Sequence, residues 1–239
     1  MTAATMTDEA RELYSKATTA SLTAQLVKRG LRTRAISNIG PINPDTPRIF
    51  GPAYTLRYIP MREDLATGAA MADPENPQRK AIEVMPAGHV LVADTHGLDV
   101  SGTLGDILVA RLKVRGVAGV VSDGPMRDIA ELENIDLPVF ARGNAAPPSY
   151  ASMLAADAQV PIGCGGVAVF PGDIVIGDED GVVILPAAIA EEVARDAVEQ
   201  DRLEAYVRQR IEDGDSIVGV YPPNEETQAA YKAWLAKKS

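Results

Sequence analysis

The stretch HVLVADTHGLDVSGTLGDILVARLKVRGVAGVVSDGPMRD, residues 89–128, decides the fold. It opens on an apolar run of strand length, 89–95, and a second such run follows at 117–124. Between them, residues 102–116 read as a helix opened by glycine and closed by Gly116. Strand, helix and strand in that order form a βαβ unit, whose strands are apolar along their whole length because helices cover the sheet. The chain then repeats the theme more briefly, with a helix beginning at MRDIAELENIDL and a short strand in PVFARG.

Outward from this centre the pattern changes. Residues 160–169, 174–177 and 182–185 are short apolar runs of strand length. The turn Pro171-Gly172 and the hairpin signal Asp180-Gly181 separate them. From Pro186 a long helix is expected to about residue 211, and a last short helix follows Pro222-Pro223. Upstream, residues 7–30 read as one helix, with Thr7 as cap, Asp8 and Glu9 in the first turn and Gly30 just past the end. Residues 35–47 are irregular, and GPAYTLRYI at 51–59 is a strand. Residues 61–85 are polar in the middle, with a loop at Asp73, Pro74, Asn76 and Pro77 before a short helix. The sum is a mixed α/β domain of layered sheets with helices outside, without internal repeats.

Bulk composition narrows the function. The 239 residues are 46% hydrophobic and 23% charged, enough for one sizeable core. Net charge is −10, and no Lys/Arg run makes a basic face, which argues against nucleic acid and anionic membranes as partners. The N-terminus lacks a basic and apolar leader, and no apolar stretch is long enough to span a bilayer. With one cysteine, Cys164, no intrachain disulfide can form, so a reducing, cytoplasmic location is expected.

Chemistry concentrates in Gly105-Asp106-Ile107-Leu108 and in Ser122-Asp123-Gly124-Pro125-Met126-Arg127-Asp128, with Glu131 beyond. Each segment follows a buried strand. If the two strands are parallel neighbours, Asp106 and Arg127 leave one sheet edge and can meet over one cavity, where ligands of α/β sheets gather. Arg127 offers a planar cationic fork, Asp128 a hard oxygen ligand, and Asp106 a carboxylate able to hold a water. By spacing alone the same residues also read as helix caps and solvated charges.

These segments resemble the RraA-like family, which includes class II 4-hydroxy-4-methyl-2-oxoglutarate / 4-carboxy-4-hydroxy-2-oxoadipate aldolases. That family carries an Asp, twenty intervening residues and then Arg-Asp, often with an acid three residues later. Asp106, Arg127, Asp128 and Glu131 fill those places. GPAYTL at 51–56, LPVFARG at 137–143 and PGDIVIGDEDGVVILP at 171–186 extend the likeness over roughly residues 20–215.

The resemblance implies a single domain over 1–239, with its core at about 20–215 and a helical tail at 216–239. Its fold would be a layered α/β/β sandwich of swivelling-domain type, with an N-terminal helix and a long C-terminal one. It further implies cleavage of 4-hydroxy-2-oxo acids to pyruvate and an oxo acid, with oxaloacetate decarboxylation as a side activity. Asp106 and Arg127 would position the acid/base water. Arg127, with Gly105 and the backbone N–H groups of Ile107 and Leu108, would hold the pyruvoyl group. Asp128 would ligate Mg²⁺ or Mn²⁺, with Glu131 orienting a metal-bound water. Family members are trimers or hexamers with a carboxylate arriving from a neighbour's C-terminal helix. Here Glu204, the acid on the apolar stripe Val193, Ala197, Val207 and Ile211, is the candidate, and Glu199 the runner-up. Two other readings stay open: a non-catalytic regulator that binds RNase E, and a sugar-acid 2-oxo acid lyase or hydratase.

The remaining reactive residues point elsewhere. His89 and His96 lack zinc-site spacing. Cys164 sits between glycines without a base, and no lysine lies in an apolar strand where Schiff-base chemistry would place it. Asp178, Glu179 and Asp180 read as a solvated hairpin turn.

Overall fold

The structure, a computed structural model, describes residues 6–43, 45 and 48–237. Its helices are α1 (Asp8–Lys16), α2 (Thr19–Lys28), α3 (Gly68–Ala72), α4 (Pro77–Val84), α5 (Asp106–Val114), α6 (Ile129–Leu132), α7 (Ala190–Glu212) and α8 (Glu225–Ala236). The strands are β1 (Gly40–Pro41), β2 (Ile49–Pro60), β3 (Val90–Asp94), β4 (Gly119–Ser122), β5 (Val139–Ala141), β6 (Met153–Ala158), β7 (Ile174–Asp178) and β8 (Gly181–Leu185).

Side-chain alternation along the strands builds the layers. In the parallel run β2-β3-β4-β5, Leu91, Ala93, Val120 and Val139 face one way and pack with Ile82, Val109, Leu112 and Leu132 of α4, α5 and α6. Val90, Val92, Val121 and Phe140 face the other way, onto Val175, Val182 and Ile184 of the β7–β8 hairpin. The hairpin's opposite face, Ile174, Ile176, Val183 and Leu185, packs on α1, α2 and α7. β2 joins the two sheets. Its first four residues pair antiparallel with β7, its middle pairs parallel with β3, and its end pairs antiparallel with β6 across a bulge between Arg57 and Tyr58. This is the expected layered α/β/β sandwich, with the second sheet covered by the terminal helices. No helix among the described residues is long and apolar enough to cross a membrane.

Three local readings are corrected. The single helix expected at 7–30 is two, because Thr18 starts a new one. Its hydroxyl accepts from Ser21 N at 3.2 Å and donates to Asp201 at 2.9 Å, while Thr19 N donates to Asp178 at 2.8 Å. Asp178 is therefore no solvated turn: it is buried at 4% exposure, and Thr19 and Asp180 donate to it. Residues 160–169 do not form a strand. Ile162 and Val169 make one bridge around a tight turn at 164–166, where Gly165 (φ 53°) donates its N–H to Asp123 at 3.0 Å. The strand in that region is instead β6, whose alanines (MLAADA) gave little β signal.

Candidate active site at the ends of two parallel strands

β3 and β4 are parallel neighbours, with Ala93 opposite Ser122, so the loops leaving them emerge at one edge. Asp123 binds those loops together. Its buried carboxylate accepts from Thr95 N (2.7 Å), Thr95 Oγ1 (2.9 Å), Gly97 N (3.2 Å) and Gly165 N (3.0 Å). Further along, Thr103 N donates to Pro125 O at 2.7 Å and Arg127 N to Leu104 O at 3.1 Å. The segment that begins α5 is thus laid directly against the segment that carries Arg127 and Asp128.

Two glycines make that approach possible. A Cβ at Gly102 would stand 2.8 Å from Arg127 Cβ, and one at Gly105 would stand 2.4 Å from Asp128 Oδ2. Gly105 also occupies the N-cap of α5 with no capping side chain, so the first-turn N–H groups remain available to a ligand, and their dipole favours an anion. Gly105 has an extended backbone (φ −117°, ψ −179°) that alanine adopts without strain, so Gly105→Ala is expected to change stability by less than about 1 kcal/mol. It should nonetheless cut turnover on the order of 100-fold by pushing the Asp128 carboxylate aside. Thermal unfolding and turnover measured on the same preparation check this, and full activity would contradict it.

Arg127 Nε lies 3.1 Å from Asp128 Oδ2, with both side chains only about one third exposed (35% and 34%). Asp128 has a left-handed backbone (φ 59°, ψ 45°) at the N-cap of α6, yet its carboxylate does not cap that helix. Its two carboxylate oxygens instead accept from Arg127, Oδ2 from Nε at 3.1 Å and Oδ1 from Nη2 at 3.5 Å. Asp106 opens α5 at the same cleft, which has a volume of about 280 Å³, at the small end for ligand pockets.

Gly105, Asp106, Ile107, Leu108, Arg127 and Asp128 all line this one hollow. Glu131 is exposed on α6 and does not line it. Glu204 is in a different layer. It accepts from Gln200 at 2.8 Å and borders a groove with Val207, Ile211, Ile217 and Tyr221, so it could reach a cleft of this kind only in a second copy. Glu199 accepts from Tyr231 Oη at 2.9 Å.

Sequence reasoning missed the opposite wall: Gln78 and Arg79 of α4, Met71 of α3, and Ser149 and Tyr150 in the turn at 149–151. The Asn76-Pro77 helix start was visible in the sequence, but nothing in it says that α4 faces α5. Neither histidine lines the cleft. Cys164 is fully buried, and that burial, reinforced by Asp123 and Asp94, pushes its thiol well above the usual range, which leaves it inert. Among the described residues no three His, Cys, Asp or Glu side chains cluster as a metal cage. Asp106 and Asp128 are the acids that line this cleft. They suit an ion such as Mg²⁺ that keeps several waters and needs only one or two carboxylates.

The RraA-like family model (Aldolase/RraA) matches residues 7–184. A Halalkalibacterium halodurans protein with the provisional name 4-hydroxy-4-methyl-2-oxoglutarate aldolase is 31% identical over 189 residues, 79% of this chain and 83% of its own. The 4-hydroxy-4-methyl-2-oxoglutarate aldolase of Thermus thermophilus is 36% identical over 108 residues, 45% of this chain and 65% of its own. Among solved structures, Streptomyces coelicolor RraAS2, described as an unusual member of the RNase ES inhibitor RraA protein family, superposes with a TM-score of 0.77. It is 29% identical and covers 86% of this chain and 100% of its own.

Proposed function

The chain belongs to the RraA-like family, and from that premise we propose that it is a divalent-metal-dependent aldolase that releases pyruvate from 4-hydroxy-2-oxo acids. The observation that carries the reading is the meeting of Asp106, Arg127 and Asp128 around one cleft at an uncapped helix N-terminus. A lone acid or a lone arginine there would be unremarkable. The three together supply an anion anchor, a hard metal ligand and an acid/base in one place.

Each group has a task that follows from its chemistry. The fork of Arg127 and the N–H groups of Ile107 and Leu108 hold the substrate's C1 carboxylate and oxo oxygen. Asp128 would hold Mg²⁺ or Mn²⁺, an ion that when bound supplies Lewis acidity to the oxo oxygen. Asp106 holds a water that takes the C4-hydroxyl proton as the C3–C4 bond breaks. The electron pair passes into the enolate of pyruvate, whose charge Arg127 offsets, and the water then returns the proton to C3. Decarboxylation of oxaloacetate would leave the same enolate and is proposed as a side activity.

A second reading is favoured by the similarity to RraAS2: a regulator that binds a ribonuclease without catalysis. One assay separates the two. Pyruvate release from 4-hydroxy-4-methyl-2-oxoglutarate and from oxaloacetate is expected with Mg²⁺, to stop with EDTA, and to return when Mg²⁺ is restored. Absence of release from both substrates with Mg²⁺ or Mn²⁺ present would favour the regulator.

A further inference from the structure

A second cavity, of about 310 Å³, lies at the other end of β3 from the cleft. There α1, β7 and the start of α7 meet His89, the residue just before β3. Its walls are largely apolar, with Ala10, Ile174 and Ala187 among them. Tyr14, His89 and Glu191 interrupt that lining, and the aldolase reading gives none of the three a task.

Tyr14 is 3% exposed, yet its hydroxyl makes no hydrogen bond among the described residues. Leaving a buried polar group unpaired costs about 1–3 kcal/mol, so a partner at this place is favoured. Burial first, and then the Glu191 carboxylate, push the phenol up to about 12, which keeps it protonated and marks a negative potential in the cavity. His89 is 8% exposed, with Nδ1 3.4 Å from Ala87 O. A carbonyl can only accept, so the proton sits on Nδ1. Nε2 is left as an acceptor with no partner among the described residues. Glu191 makes no ion pair among them either, although its neighbour Glu192 is held by Arg29 at 2.8 Å.

Charge and hydrogen bonding point the same way. No lysine or arginine lines this cavity, so nothing offsets the charge of a bound anion. A carboxylate, a phenol oxygen and an imidazole nitrogen make three acceptors, and a primary ammonium carries three N–H donors. The apolar walls suit a short hydrocarbon body, whose burial contributes about 0.8 kcal/mol per CH₂.

We infer that this cavity binds a small primary ammonium compound with an apolar body, held by Glu191, Tyr14 and His89, at a site separate from the catalytic cleft.

Three probes of equal chain length test it: n-pentylammonium, pentan-1-ol and pentanoate. Each is titrated calorimetrically into the full-length protein with Mg²⁺ at about pH 8, where free imidazole is neutral and alkylamines are charged. The ammonium is expected to bind about tenfold more tightly than the alcohol or the carboxylate. Glu191 is exposed, so Glu191→Gln should weaken ammonium binding by about three- to tenfold. Tyr14→Phe keeps the ring and removes an unpaired hydroxyl, so the free protein should melt no lower than wild type while ammonium binding falls about threefold. Asp128→Asn, in the cleft, should leave ammonium binding unchanged. Pentanoate or pentan-1-ol binding as tightly as the ammonium, or no saturable ammonium binding, overturns the inference. So does ammonium binding that survives both Glu191→Gln and Tyr14→Phe, or that is lost in Asp128→Asn.

Discussion

Arg127→Lys is expected to lower kcat/KM for pyruvate release by roughly 100- to 1,000-fold while leaving the fold intact. Lysine keeps the charge but loses the planar fork. One ammonium cannot contact the substrate carboxylate, the developing enolate oxygen and Asp128 in the way the guanidinium can, with Nε already 3.1 Å from Asp128 Oδ2. The side chain is about one third exposed, so its removal leaves no buried hole, and the melting temperature should move by only a degree or two. A loss of that size corresponds to about 2.7–4 kcal/mol of transition-state stabilisation, the range for a preorganised donor aimed at developing negative charge. A variant with wild-type kcat/KM would show that Arg127 does not touch the reacting group.

Asp123→Ala should produce the largest loss of stability. Asp123 is 2% exposed and accepts four hydrogen bonds: two from Thr95 and one each from Gly97 and Gly165. Truncation leaves two buried donors, both of Thr95, and two partly buried ones without acceptors, each buried one costing about 1–3 kcal/mol before relaxation. A net destabilisation on the order of 4 kcal/mol follows, which for a chain of this length lowers the melting temperature by about 10 °C. Because the carboxylate ties three loops at the strand ends, residual folded protein should also lose activity. Thermal unfolding followed by circular dichroism checks this, and a melting temperature within about 2 °C of wild type would contradict it.

The layers and one wall of the cleft were legible in the sequence for a physical reason. β3, β4 and the helix between them are specified by local pattern, and parallel pairing through a short crossover leaves little choice of where Asp106 and Arg127 end up. The twenty-residue spacing is that crossover seen in one dimension. The opposite wall was not legible, because Arg79 and Tyr150 reach the cleft through contacts between elements distant in sequence, such as Gln78 to Tyr58. Long-range polar partners explain the misread ends as well. The break at Thr18 depends on Asp201, and the turn at Gly165 depends on Asp123, each far along the chain. The stripe on α7 divides: Val193 and Ala197 pack against α1 and α2, while Glu204, Val207 and Ile211 border a separate groove with Ile217 and Tyr221.

The central claim, that this cleft makes and protonates the enolate of pyruvate, can be tested without knowing the natural substrate. Pyruvate is incubated with the protein and Mg²⁺ in D₂O, and loss of the methyl proton signal is followed by NMR. Wild type is predicted to exchange those protons far faster than buffer, and Arg127→Lys to fall close to the buffer rate. No exchange above buffer by wild type, or equal exchange by the variant, would contradict the account.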